Sequence, residues 1–127
     1  MTGVSSGKRA ATREESDMTQ TVPDVIVRYY QLTAEPDVDA FVGCFTDDAI
    51  VADEDRTYEG PAAIRAWRER TAAEFDYKAI PEAVEEEAGG NLVVTTLVTG
   101  TFPGSPVRLR HRFTLRDGLI GALDIRP

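Results

Sequence analysis

Apolar positions recur at helical spacing in the first half of the chain and at every second residue in the second half, so the expected period changes partway along. Val22, Ile26, Tyr29 and Thr33 step by four, three and four, with Val25 and Leu32 widening that face. This predicts a helix from about Pro23-Asp24, where the missing proline N–H falls in the first turn and costs nothing. Glu35-Pro36 ends it. Asp37 is a natural N-cap for a short second helix carrying Val38, Phe41, Val42 and Phe45 on one face, with Cys44 at its edge as a buried small apolar residue. Thr46-Asp47-Asp48 closes that helix, and residues 49–52 read as a short strand. Glu59-Gly60-Pro61 then opens a third helix with Ile64, Trp67, Thr71 and Phe75 in line.

From there the period is two. Segments 77–87, 92–102, 106–116 and 119–126 are strand-like, and Gly89-Gly90-Asn91, Pro103-Gly104-Ser105-Pro106 and Asp117-Gly118 separate them, the last as a two-residue hairpin turn. In 106–116, Val107, Leu109, His111, Phe113 and Leu115 point one way, while Arg108, Arg110, Arg112 and Arg116 point the other or flank it, as in a strand with one wet face. Helices followed by a four-strand antiparallel meander predict an α+β fold.

A length of 127 residues holds one domain. Residues 1–20 are polar and their charges cancel, which predicts a disordered tail before a single domain at 21–127; Met18 is an alternative start. The chain carries 14 Lys+Arg against 22 Asp+Glu, a net charge of −8 that falls on the domain and argues against nucleic acid or an anionic membrane as partner. One His and one Cys, Cys44, exclude an internal disulfide and the usual tetrahedral zinc site. Asp53-x-Asp55 fails as a calcium loop, because Tyr58 and Ile64 stand where glycine and a bidentate glutamate are needed. No glycine-rich phosphate loop occurs, so neither metal nor cofactor is expected. Without a long apolar run or a secretory leader, the expected location is the cytoplasm.

Three side chains are candidates for acid/base chemistry, and each has a plainer reading. Asp53 opens the run Asp53-Glu54-Asp55-Arg56, so it is either a pocket carboxylate or part of a solvated loop. Tyr29 lies on a core face, where a tyrosine packs its ring whether or not it reacts. His111 sits on the apolar side of its strand, as a core histidine or an acid/base group. Trp67, Tyr58, Phe45, Leu109 and Phe113 are candidates for the lining of a ligand pocket.

Phe45-Thr-Asp-Asp-Ala-Ile-Val-Ala-Asp53 resembles the F-x-D-D-A-x-V-x-D junction of the nuclear transport factor 2-like superfamily, and Gly60-Pro-Ala-Ala-Ile-Arg-Ala-Trp67 resembles the start of its third helix. Together with the element order, the likeness spans roughly residues 22–126 and points to the SnoaL-like branch. It implies a cone: a curved antiparallel sheet wrapped around three N-terminal helices, an α+β barrel of the cystatin-like kind with a pocket in its mouth. The superfamily holds isomerases, cyclases, dehydratases, hydrolases and non-catalytic modules, so it implies a fold before an activity. Its ketosteroid isomerases resemble the first half of this chain. In that likeness Tyr29 takes the place of the oxyanion-hole tyrosine and Asp53 that of the general base, the pair needed to enolise a carbonyl. The second oxyanion donor of those enzymes falls on Leu109, which cannot donate; His111, further along the same face, is a substitute suggested by this chain alone. The resemblance thus implies a small apolar carbonyl or polycyclic ligand, and a homodimer through the sheet face bearing Arg108, Arg110 and Arg112. The alternative is a non-catalytic ligand-binding or dimerisation module. If Asp53 is catalytic, it should stand beside Ile50 and Trp67 with its pKa raised by desolvation.

Overall fold

The expected helical face of the first segment forms α1 (Asp24–Thr33), which buries Val25, Ile26, Tyr29, Tyr30, Leu32 and Thr33. The computed structural model describes residues 22–74 and 76–127; the expected tail, the alternative start at Met18 and Phe75 lie outside the described residues. Pro23 precedes α1 in extended backbone. Asp37 caps α2 (Val38–Val42) as expected, its Oδ1 accepting the Ala40 N–H at 3.0 Å.

The chain leaves α2 earlier than its apolar spacing suggests. Phe45 does not close that helix; it begins β1 (Phe45–Asp53), because it pairs with Ile120, whose N–H bonds the Cys44 carbonyl at 2.8 Å. The inward side chain is the same in either element, so periodicity alone cannot separate them. A second difference follows. Arg56, the end of the run Asp53–Arg56 weighed as a solvated loop, begins a strand not expected from sequence, β2 (Arg56–Glu59), hairpinned onto β1 through Glu54 and Asp55 at φ 53° and 64°. Such a turn usually carries Asn or Gly, so two acidic residues hid it.

Gly60, at φ 86°, starts α3 (Gly60–Glu74), which buries Ile64, Trp67 and Arg68. Strands β3 (Tyr77–Glu86), β4 (Leu92–Gly100), β5 (Val107–Arg116) and β6 (Leu119–Arg126) form the expected antiparallel meander. The sheet order is β2-β1-β6-β5-β4-β3. The α+β class holds, with three helices among the described residues against a six-stranded sheet. The sheet is nonetheless open, with β2 and β3 at its edges, and β1 runs parallel to β6.

One row of the sheet organises the site. Asp53 pairs with Ile125, Ile125 with His111, His111 with Val94 and Val94 with Val84. Paired residues share a face, so this row lies on the side covered by the helices. There Ile26, Phe41, Val51, Ile64, Phe113 and Leu123 form a closed core, and Cys44 is buried with them. On the opposite face Arg108 binds Glu82 at 2.7 Å, and Arg112 grips Glu87 through two bonds of 2.9 and 3.1 Å. Arg116 pairs with Asp48, while Arg110 makes no ion pair among the described residues and stands opposite Arg126.

Candidate functional site

Strand alternation decides where Asp53 points. Ala49 and Val51 are fully buried, so Asp53 shares their face, while Ile50 turns outward and is 42% exposed. Ile50 is therefore not the apolar neighbour of Asp53 that the sequence suggested. Trp67 is: its indole N–H donates to Asp53 Oδ2 at 3.1 Å. Tyr58 stacks on Trp67 with ring centres 6.0 Å apart, and Arg70 donates to the Tyr58 hydroxyl at 2.5 Å. Burial raises the Asp53 pKa and the indole bond opposes part of that rise. The exposed remainder of the charge run, Glu54 and Asp55, is the solvated loop; Asp53 itself is half-buried.

Tyr29 is held in an aromatic cluster. It is 3% exposed and lies 5.0 Å from Tyr30, 5.3 Å from Phe41 and 5.4 Å from Phe113, ring centre to centre. Burial first, then the fields of Tyr30, Tyr77 and Asp53, push its pKa well above 10. It is a neutral donor facing the side on which Asp53 carries charge. Its neighbour Tyr30 is committed elsewhere, bonded to Thr96 Oγ1 at 2.8 Å.

His111 is 4% exposed, stacked on Phe113 and 6.3 Å from Tyr29, centre to centre. Burial lowers its pKa to about 4, so the ring is neutral at pH 7, and its Nδ1 has no partner among the described residues. Two strand spacings separate it from Asp53, roughly 10 Å between Cα atoms, with Ile125 in the gap. Asp53, Tyr29 and His111 thus share a face, with Ile125 between Asp53 and His111. Phe45 and Phe113 are core rings, and Leu109 is half-buried beside Thr96.

A cavity of about 400 Å³ lies away from these residues, between α1 and β3, walled by Ile26, Val27, Tyr30, Ile80, Val84 and Val94 among others. None of the eight site residues chosen from sequence lines it. Among the described residues no cluster of three or more His, Cys, Asp or Glu is placed to hold a metal.

The sequence reading missed Arg68. It is buried, its guanidinium carbon lies 5.3 Å from the Phe41 ring centre, and its Nη2 reaches the carbonyls of Leu32, Thr33 and Glu35 at 3.4, 3.1 and 3.1 Å. A cation there satisfies the open carbonyls at the C-terminus of α1 and opposes the helix dipole. It fixes the helix that carries Tyr29. The available signal was an arginine next to Trp67 on the buried side of α3.

The family pattern of the SnoaL-like domain matches residues 26–122. The chain belongs to this family. Among solved structures, this SnoaL-like domain is 33% identical to a candidate polyketide cyclase from Sinorhizobium meliloti, with 85% of this chain and 98% of that one covered and a TM-score of 0.80. Two more distant likenesses support the fold. The Δ5-3-ketosteroid isomerase from a Mycobacterium species is 18% identical, with 84% and 94% covered and a TM-score of 0.68. A Catenulispora acidiphila protein of ketosteroid isomerase-like fold, solved with trimethylamine, is 18% identical, with 84% and 87% covered and a TM-score of 0.73. No curated protein matches the chain. No helix among the described residues is long and apolar enough to cross a membrane.

Proposed function

We propose that this SnoaL-like domain binds a small, largely apolar carbonyl or polycyclic molecule and moves a proton on it, with Asp53 as base and Tyr29 polarising the substrate oxygen. The observation that carries this reading is the setting of Asp53. One carboxylate oxygen is fixed by the Trp67 indole N–H, the other makes no bond among the described residues, and desolvation raises the pKa. A base so tuned binds a proton more strongly than a free aspartate does. Tyr29 supports the second half of the reaction, because a buried phenol that stays protonated at pH 7 is a hydrogen-bond donor for an oxyanion. His111, neutral at pH 7, is the alternative polariser. The likeness to a candidate polyketide cyclase favours the same substrate class.

A second reading, ligand binding or dimerisation without chemistry, is favoured by Leu109 at the place of a second oxyanion donor and by Ile125 between Asp53 and His111. The Asp53→Asn variant separates the two. Turnover of a small carbonyl substrate that disappears while ligand binding persists supports catalysis. An Asp53 that titrates in NMR like a free aspartate supports the second reading.

The proposal extends to a cytoplasmic homodimer that leaves nucleic acid alone, the latter on the net charge of −8. Arg110, opposite Arg126 and without an ion pair among the described residues, leaves charge on the outer sheet face for a partner's carboxylates. A monomer in sedimentation at about tens of micromolar removes the dimer.

A further inference from the structure

The trough between α1 and β3 has no part in the chemistry above. On α1 it is lined by Ile26, Val27, Tyr30 and Gln31, with Val22 just before the helix. On β3 it is lined from Ala79 to Val84, and Val94 forms its floor. Val27 and Ile80, 40% and 45% exposed, are apolar lips that leave it open to solvent. Tyr30, whose hydroxyl is already bonded to Thr96, separates it from His111.

Charge narrows what can occupy it. Among the described residues no ionisable carboxylate, amine or guanidinium lines the trough. Of the charges beside its walls, Glu82 pairs with Arg108 on the outer sheet face and Arg28 is directed toward Cys44. An anionic head would meet no counter-charge on a chain of net charge −8, and a cationic head no carboxylate in the walls. Gln31 offers the one side-chain amide, at the end of the α1 wall. Along β3 the slot runs from Ala79 to Val84, about 16 Å at a strand rise of about 3.3 Å per residue, and with a volume of about 400 Å³ it suits an extended alkyl chain.

We propose that this trough binds a neutral single-chain amphiphile of about ten carbons, of the fatty-alcohol class, with its hydroxyl at Gln31 and its chain between Val27 and Ile80, driven by removal of apolar surface from water. The site is independent of Asp53.

Displacement of the neutral fluorophore N-phenyl-1-naphthylamine from the full chain provides the test, with 1-decanol and decanoate as competitors at pH 8. Decanol should displace the dye saturably, and decanoate should be at least about tenfold weaker. Val27→Asp puts a charge on an exposed lip and Ala79→Trp fills the slot, and each should weaken decanol about tenfold or more. Asp53→Asn should leave it unchanged. Failure of decanol to displace the dye, equal competition by decanoate, or undiminished binding in a folded Val27→Asp protein overturns the proposal. Loss of decanol binding in Asp53→Asn alone would move the chain to the Asp53 site and overturn it too. Loss of turnover with intact decanol binding concerns the acid/base reading only.

Discussion

Acidification should destabilise this protein through His111. Its pKa falls from 6.5 to about 4 because burial among Tyr29, Tyr30 and Phe113 disfavours the charged ring. Between those values the unfolded chain binds a proton that the folded chain refuses, so stability rises with pH across the window and is lost as pH falls through it. At about 1.36 kcal/mol per pH unit the gap is worth roughly 3 kcal/mol, with little solvent screening at 4% exposure. That is a large fraction of the 5–15 kcal/mol or so expected for a whole domain. The assay is urea unfolding of wild type and His111→Leu from pH 8 to pH 4. Carboxylates that titrate in both proteins cancel in the difference, leaving the histidine. Above pH 7 the difference should be constant, and by pH 4 it should shift by roughly 3 kcal/mol against wild type. A difference that stays flat across the range, or an NMR titration of His111 near 6.5, refutes the reasoning.

Arg68→Met should lower stability by about 2–4 kcal/mol, since it strips the Thr33 and Glu35 carbonyls of a donor that an apolar chain cannot replace, while the Leu32 carbonyl keeps the Glu35 N–H; thermal unfolding checks this, and an unchanged midpoint counts against the capping role. Tyr30→Phe and Thr96→Val should differ. The first leaves Thr96 its contact with the Val94 carbonyl and costs about 1 kcal/mol, while the second strands a buried phenol and costs about 1–3 kcal/mol, read from denaturant midpoints. Asp53→Asn should be no less stable than wild type at pH 7. The folded Asp53 pKa is raised, so the group favours folding below its unfolded pKa and that benefit is lost as pH rises through the folded one; asparagine keeps an acceptor for Trp67 without the charge. Lower stability of the variant at pH 7 would contradict this sign.

Local pattern was enough for the helices, the meander and the α+β class, because amphipathic period and turn residues act over a few neighbours. Asp37 as a cap and Asp117-Gly118 as a hairpin turn are of this kind. Tyr29, Asp53 and His111 were legible as candidates on one face for the same reason. Tertiary structure alone decided what depends on partners distant in sequence. Ile120 drew Phe45 out of a helix and into β1, and pairing with the β1 edge made a strand of Arg56–Glu59. Trp67, fourteen residues on, gave Asp53 its hydrogen bond, and Ile125 kept it apart from His111. The alternation that made His111 an inward residue could not say that its Nδ1 would lack a partner. Nor could α1 and β3, read singly, reveal the trough between them, because a cavity is the mismatch of two surfaces and belongs to neither sequence segment.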